Sequence, residues 1–193
     1  MRQLFTSTLL LLSTIAIGQN TIEWSKDYEL QLSDFGSPAT QIGGSNIYSL
    51  NTSASFDFAF YMSNAQFMFT KNFNDKVNCT FKRDAAVLVA PDSSTAMDLL
   101  LFARYDFDLA ELYARKLRKK LYEEKGAFSD MNFFRPVFDQ IQQEFAVRHT
   151  NAAKATDLGR KSEELFGLRE EVLQEIVGLN AFCKECKPPK RKR

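Results

Sequence analysis

The sequence predicts an α+β fold: an N-terminal antiparallel sheet, then one long helix and two further helices. Three observations point there. Between Thr21 and Ala90 short runs, clearest at Ser53 to Met62 and Lys76 to Arg83, place apolar residues at every second position between polar turns, which is the period of half-buried strands. After Pro91 the period changes to about 3.6 residues and stays there. The two patterns follow one another instead of alternating, which separates α+β from α/β architectures.

Residues 1–18 read as a secretory signal. Arg2 gives a short basic start, Leu4 to Ile17 form an apolar stretch broken by Thr and Ser, and Ala16-Ile17-Gly18 offers small residues for cleavage before Gln19. An uncleaved N-terminal anchor is the alternative. No Cys directly follows the cleavage site, so no lipid anchor is expected. The mature chain is expected to be exported, to the periplasm or outside the cell. After cleavage no stretch reaches the roughly 18 apolar residues of a spanning helix.

Residues 19–182 are expected to form a single domain. Ile22 to Trp24 and Tyr28 to Leu32 are short strand candidates. From Ser53 to Met62, Phe56, Phe58, Phe60 and Met62 share one face, opposite Ser55, Asp57, Ala59 and Tyr61. Ser63-Asn64 predicts a turn, Ala65 to Phe73 a strand, Asn74-Asp75 a second turn, and Lys76 to Arg83 a strand with Val77, Cys79 and Phe81 together. Ala85 to Ala90 is expected to close the sheet before Pro91. Asp92-Ser93-Ser94-Thr95 then predicts a helix start, with Thr95 and Asp98 spaced as a capping box. The helix is expected to reach about Lys125, with Gly126 as its stop. Met97, Leu100, Leu101, Phe107, Ala110, Ala114, Leu117 and Leu121 make its apolar stripe, with Phe102 beside it. Arg115, Lys116, Arg118, Lys119 and Lys120 form a basic second half suited to the helix dipole. A second helix is predicted from Met131 to His149, burying Phe134, Val137, Phe138, Ile141 and Phe145. A third runs from Ser162 to Leu179, burying Leu165, Leu168, Val172, Leu173 and Ile176.

Acidic and basic residues nearly cancel, 24 against 25, so whole-chain charge gives no case for nucleic acid. The three cysteines are Cys79, Cys183 and Cys186. An odd count in an exported protein leaves one thiol unpaired or joined to another molecule. Cys183 and Cys186 have the spacing of a redox pair or half a zinc knuckle. A thioredoxin-like pair opens a helix, whereas this one follows a predicted helix end, and no second Cys pair exists to complete a zinc site. A local disulfide or an inert segment is the plainer reading in an oxidising compartment. Residues 183–193 form a Cys-x-x-Cys and basic tail, either solvated or touching anionic surface material.

The helix from Leu99 to Arg115 carries a resemblance. It resembles the pattern Leu-Leu-x-His-Glu-x-x-His-Phe-Asp-x-Ala-Glu-Leu-x-Ala-Arg of a bacterial family of predicted secreted zinc-dependent proteases, itself a domain of unknown function. The match is closest over Phe107 to Arg115. Leu30 to Gly36 is similar to the family's Leu-x-Trp-x-Asp-Phe-x-Gly segment, with Leu32 at the Trp position and one residue fewer before the Gly. Ala155 to Gly159 is similar to a Thr-x-His-Gly segment taken to supply a later zinc ligand. The resemblance implies a zincin-like frame, and metallopeptidase activity in relatives.

The chemistry of that motif is missing. Two His at i and i+4 grip one zinc from a single helical face, and the Glu acts as general base on the metal-bound water. Here the first His position holds Phe102, the Glu position Ala103, the second His position Asp106, and the later ligand position Leu158. Phe102 has no lone pair to donate, Ala103 accepts no proton, and one carboxylate is not a site. No catalytic residue, metal or other cofactor is therefore expected. Asp106, Asp108 and Glu111 are the candidate pocket carboxylates. The competing reading for Asp108 and Glu111 is ion pairing with Arg104 or Arg115 at helical spacing. His149, the single imidazole, is expected near the end of the second helix, solvated or favoured by the dipole. A metal site of His149, Asp106 and the Cys pair would need an unrelated geometry.

The leading expectation is an exported, catalytically inactive relative of these proteases, a pseudoenzyme that binds a protein, peptide or envelope component. The rivals are an enzyme with chemistry relocated to Asp106, Asp108 and Glu111, and a redox or assembly role through Cys183 and Cys186.

Overall fold

The structure is a computed structural model and describes residues 20–189 apart from 45, 59–62, 127–128 and 131. The signal reading of residues 1–18, the face assignments of Phe60 and Met62 and of Ala59 and Tyr61, the Met131 helix start and the last four tail residues lie outside the described residues.

The fold is α+β. Six short strands precede the long helices: β1 (Thr21–Glu23), β2 (Gln41–Ile42), β3 (Ser49–Asn51), β4 (Ala54–Phe58), β5 (Val77–Lys82) and β6 (Val87–Ala90). They form two sheets, not the single one expected. β1, β5 and β4 pair antiparallel in that order, with Ile22 opposite Phe81 and Phe56 opposite Cys79. The second sheet has order β2-β6-β3, with β2 parallel and β3 antiparallel to β6. The chain turns after Lys82, where Ala86 N–H donates to the Lys82 carbonyl, so β6 leaves β5 and pairs elsewhere.

Two predicted strands are not strands. Residues 28–31 are irregular and lead into a 3₁₀ turn at Leu32–Asp34. The buried Asp34 carboxylate accepts Tyr28 Oη at 2.8 Å and Gln31 N–H at 2.7 Å, which bends the chain. The start of the predicted strand from Ala65 to Phe73 is helix α1 (Asn64–Phe69). Ser63 Oγ accepts Gln66 N–H at 3.2 Å and Gln66 Oε1 accepts Ser63 N–H at 2.9 Å, a capping box that the strand reading overlooked. β4 and β5 are thus joined through a helix and not through hairpin turns.

Helix α2 (Ser93–Glu124) spans 32 residues. Its cap is Asp92, not Thr95: the Asp92 carboxylate accepts Thr95 N–H at 2.8 Å, which lowers the pKa of that carboxyl. Around its middle α2 is buried on every side, from Tyr105 to Arg115, because the sheets, α3 (Phe134–Thr156) and α4 (Ser162–Gly178) all pack on it. The second helix therefore runs seven residues past His149, which lies in its interior instead of at its end. Phenylalanines weld the layers. Phe56 meets Phe138 and Phe145 edge-on, and Phe81 contacts both Phe35 and Phe107. Among the described residues no helix is long and apolar enough to cross a membrane.

Candidate functional site

The site centres on the first half of α2. Phe102 is 1% exposed and Ala103 wholly buried. Phe102 contacts the ring of Tyr105 at 5.7 Å and meets His149 edge-on at 5.7 Å. The turn after α3 closes over it. Asp157, Leu158 and Gly159 all take left-handed backbone conformations, with φ of 50°, 55° and 96°. Leu158 N–H donates to the Ala153 carbonyl, and Lys161 N–H to Thr156, so the helix ends in a wrapped turn. Tyr48 Oη and Arg160 hold the Asp157 carboxylate. A Cβ on Gly159 would lie 2.2 Å from the Asp98 carbonyl oxygen and 3.3 Å from Phe102 Cβ. Segments more than 50 residues apart thus meet at van der Waals distance, and Leu158 itself packs half-buried against the core.

Asp106, one turn further along α2, is 1% exposed. Thr52 Oγ1, between β3 and β4, donates to its Oδ2. His149 Nδ1 on α3 is bonded to its Oδ1 at 2.6 Å. The His149 side chain keeps 36% of its surface exposed. Its hydrogen bond to Asp106 and the negative charge there raise its proton affinity, against the opposing effect of burial. Phe102 and Phe145 flank the ring. The result is a Thr52–Asp106–His149 chain that joins sheet, α2 and α3, with a partly exposed imidazole oriented by a buried carboxylate.

The three candidate carboxylates do not converge. Asp108 points to the opposite set of partners, accepting Trp24 Nε1 at 2.9 Å and Arg169 Nε at 2.7 Å. Glu111 accepts Arg115 Nε at 2.8 Å and Arg118 Nη1 at 3.0 Å. Ion pairing is therefore what the structure gives Asp108 and Glu111, but only the Glu111–Arg115 pair follows helical spacing. Arg104 donates instead to the Leu30 carbonyl at 2.9 Å. Within the basic half of α2, Arg115 and Arg118 are buried, and Arg118 further donates to the Val77 and Phe182 carbonyls. An open depression of about 400 Å³ lies between α2 and α3, lined by Tyr113, Gln143, Glu144, Val147, Arg148 and Asn151, and none of the three carboxylates borders it.

Cys183 and Cys186 are joined as a disulfide, while Cys79 is a buried free thiol whose ionisation burial suppresses strongly. Among the described residues no group of three His, Cys, Asp or Glu side chains is arranged to hold a metal ion.

Sequence reasoning anticipated Arg115 as a partner of Glu111 but missed the partners of Asp106 and Asp108. A signal existed for the first. Asp106 follows Phe102 by one helical turn, on a face that goes into the core, and a buried carboxylate requires a donor. The chain holds one imidazole, and it lies on a neighbouring amphipathic helix. Nothing comparable marks Trp24 or Arg169 for Asp108.

No protein-family model, no curated protein and no solved structure matches this chain.

Proposed function

We propose that this chain is an exported, catalytically inactive relative of secreted zinc proteases, retaining a peptidase-like frame to bind a peptide, protein or envelope component. One observation carries the reading. The positions that resemble a zinc-binding helix and its later ligand segment lie against each other in space, yet they are filled by Phe102, Ala103, Leu158 and a carboxylate already satisfied by Thr52 and His149. The residues present do not fit a catalytic zinc. Phe102, Ala103 and Leu158 offer no donor atom, and Asp106 with one imidazole bonded to it falls short of the three protein ligands such a site uses. With no carboxylate at position 103, the general base of the relatives has no counterpart. The binding role rests on fold-level analogy to a frame that holds extended peptides.

The test is metal content and peptide hydrolysis on the same sample. The mature chain, purified without added metal and then dialysed against zinc, is expected to hold well below one zinc per chain and to leave unstructured peptides intact. One tightly held zinc per chain with chelator-sensitive cleavage overturns the proposal.

A further inference from the structure

We propose that Cys183 and Cys186 form a thiol–disulfide exchange site, acting on an exported partner that carries two thiols. This inference is independent of the protease resemblance.

The disulfide closes a loop of only a few residues, so it constrains the unfolded chain less than a long-range bridge would. Its position is fixed by other contacts. The buried Asn74 donates from Nδ2 to the Ala181 carbonyl at 3.2 Å and the Cys186 carbonyl at 2.9 Å, and Asn72 Nδ2 reaches Cys186 at 3.3 Å. Arg118 holds the Phe182 carbonyl at 3.2 Å, and Tyr122 Oη donates to the Pro189 carbonyl at 2.6 Å. Phe182, next to Cys183, is buried and contacts the Tyr122 ring. None of these contacts uses a sulfur atom. Reduction therefore leaves the two thiols side by side on a backbone that α2 and the Asn72–Asn74 turn still hold. Both cysteines are half-buried, within reach of an incoming thiolate, whereas Cys79 is enclosed and its thiolate disfavoured by burial.

The exchange balances without a further reactant. A partner thiolate attacks one sulfur of the pair, the S–S bond breaks, and a mixed disulfide forms. The other cysteine leaves as thiolate and takes a proton from water. The partner's second thiolate then attacks its own sulfur in the mixed disulfide and releases the first cysteine. Two electrons pass to this chain, whose disulfide becomes two thiols, and the partner leaves with a disulfide. Run in reverse, the dithiol form reduces a partner disulfide.

The experiment uses the mature chain in glutathione buffers, with thiols counted by alkylation and mass. Cys183 and Cys186 are expected to convert together and reversibly while the chain stays folded, with the melting temperature of the reduced form close to that of the oxidised form. Reduction only on unfolding, or loss of the fold when the pair is reduced, overturns the proposal. Cys186→Ser supplies a second measurement: its Cys183 should form a mixed disulfide with oxidised glutathione while Cys79 does not. Labelling of neither, or of Cys79 first, also overturns it.

Discussion

Replacing Gly159 with alanine tests the contact that brings the turn after α3 onto α2. The added methyl would sit 2.2 Å from the Asp98 carbonyl oxygen and 3.1 Å from its carbon, both backbone atoms inside a helix. Neither side can rotate away. The φ of 96° adds a backbone conformation that side chains resist, worth about 1–2 kcal/mol. Overpacking of a site with no slack adds about 1–3 kcal/mol. The sum, roughly 2–5 kcal/mol, corresponds to a melting temperature lowered by about 4–20 °C in a domain of this size. Gly167→Ala is the matched control. It lies within α4 with nothing within 4 Å of a new Cβ, so it should stabilise by about 0.5–1 kcal/mol. Thermal unfolding of both variants by circular dichroism reads the difference. A Gly159→Ala protein that melts with the unmodified chain would refute the close approach of turn and helix.

Three further substitutions probe the site. Asp106→Asn should return the His149 titration, followed by imidazole proton resonances, to about 6.5 or below, because the bond that raises it is lost. The sign of the linkage follows: the pair stabilises fully below about pH 6.5 and fades as the pH rises through the raised folded value. The urea midpoint should therefore fall across that window in the unmodified chain but not in the variant, and a flat profile in both counts against the pair. Phe102→Ala should cost about 3–5 kcal/mol in urea unfolding, since Phe102 is a buried core residue of α2; a loss under about 1 kcal/mol would show that the site is not packed. Arg118→Leu should cost about 3–5 kcal/mol, by leaving Glu111 one donor short and removing the donors to the Val77 and Phe182 carbonyls. A guanidinium titration that places this variant level with the unmodified chain excludes that role.

Helical elements were more legible than strands for a physical reason. The apolar period of α2 extends over eight turns or more, and α4 begins at Ser162 as expected, because long periodic stretches average out local accidents. Short strands carry no such redundancy. Ala65 to Phe73 read as a strand by composition, yet two side-chain hydrogen bonds at Ser63 and Gln66 start a helix there. The two-residue β2 and three-residue β3 lie below what periodicity resolves. At the site, Phe102, Ala103 and Asp106 were readable as neighbours on one segment of α2. Their partners were not, since Thr52, His149 and the Gly159 turn reach them across 43 to 57 residues of chain, and spacing along a helix says nothing about such contacts.

The three buried carboxylates of α2 also decide what alternatives the chain has. Asp106 is bound to α3 and the β3–β4 junction, Asp108 to Trp24 and α4, and Glu111 through Arg118 to β5 and the segment before the disulfide. A slip of α2 by one residue turns each side chain by about 100° and would strand all three charges in hydrocarbon at once. Apolar knobs alone tolerate such slips, because one leucine replaces another at little cost. The buried charges give the helix one permitted rotation and one permitted depth. They act as keys that distinguish the native arrangement from its near neighbours.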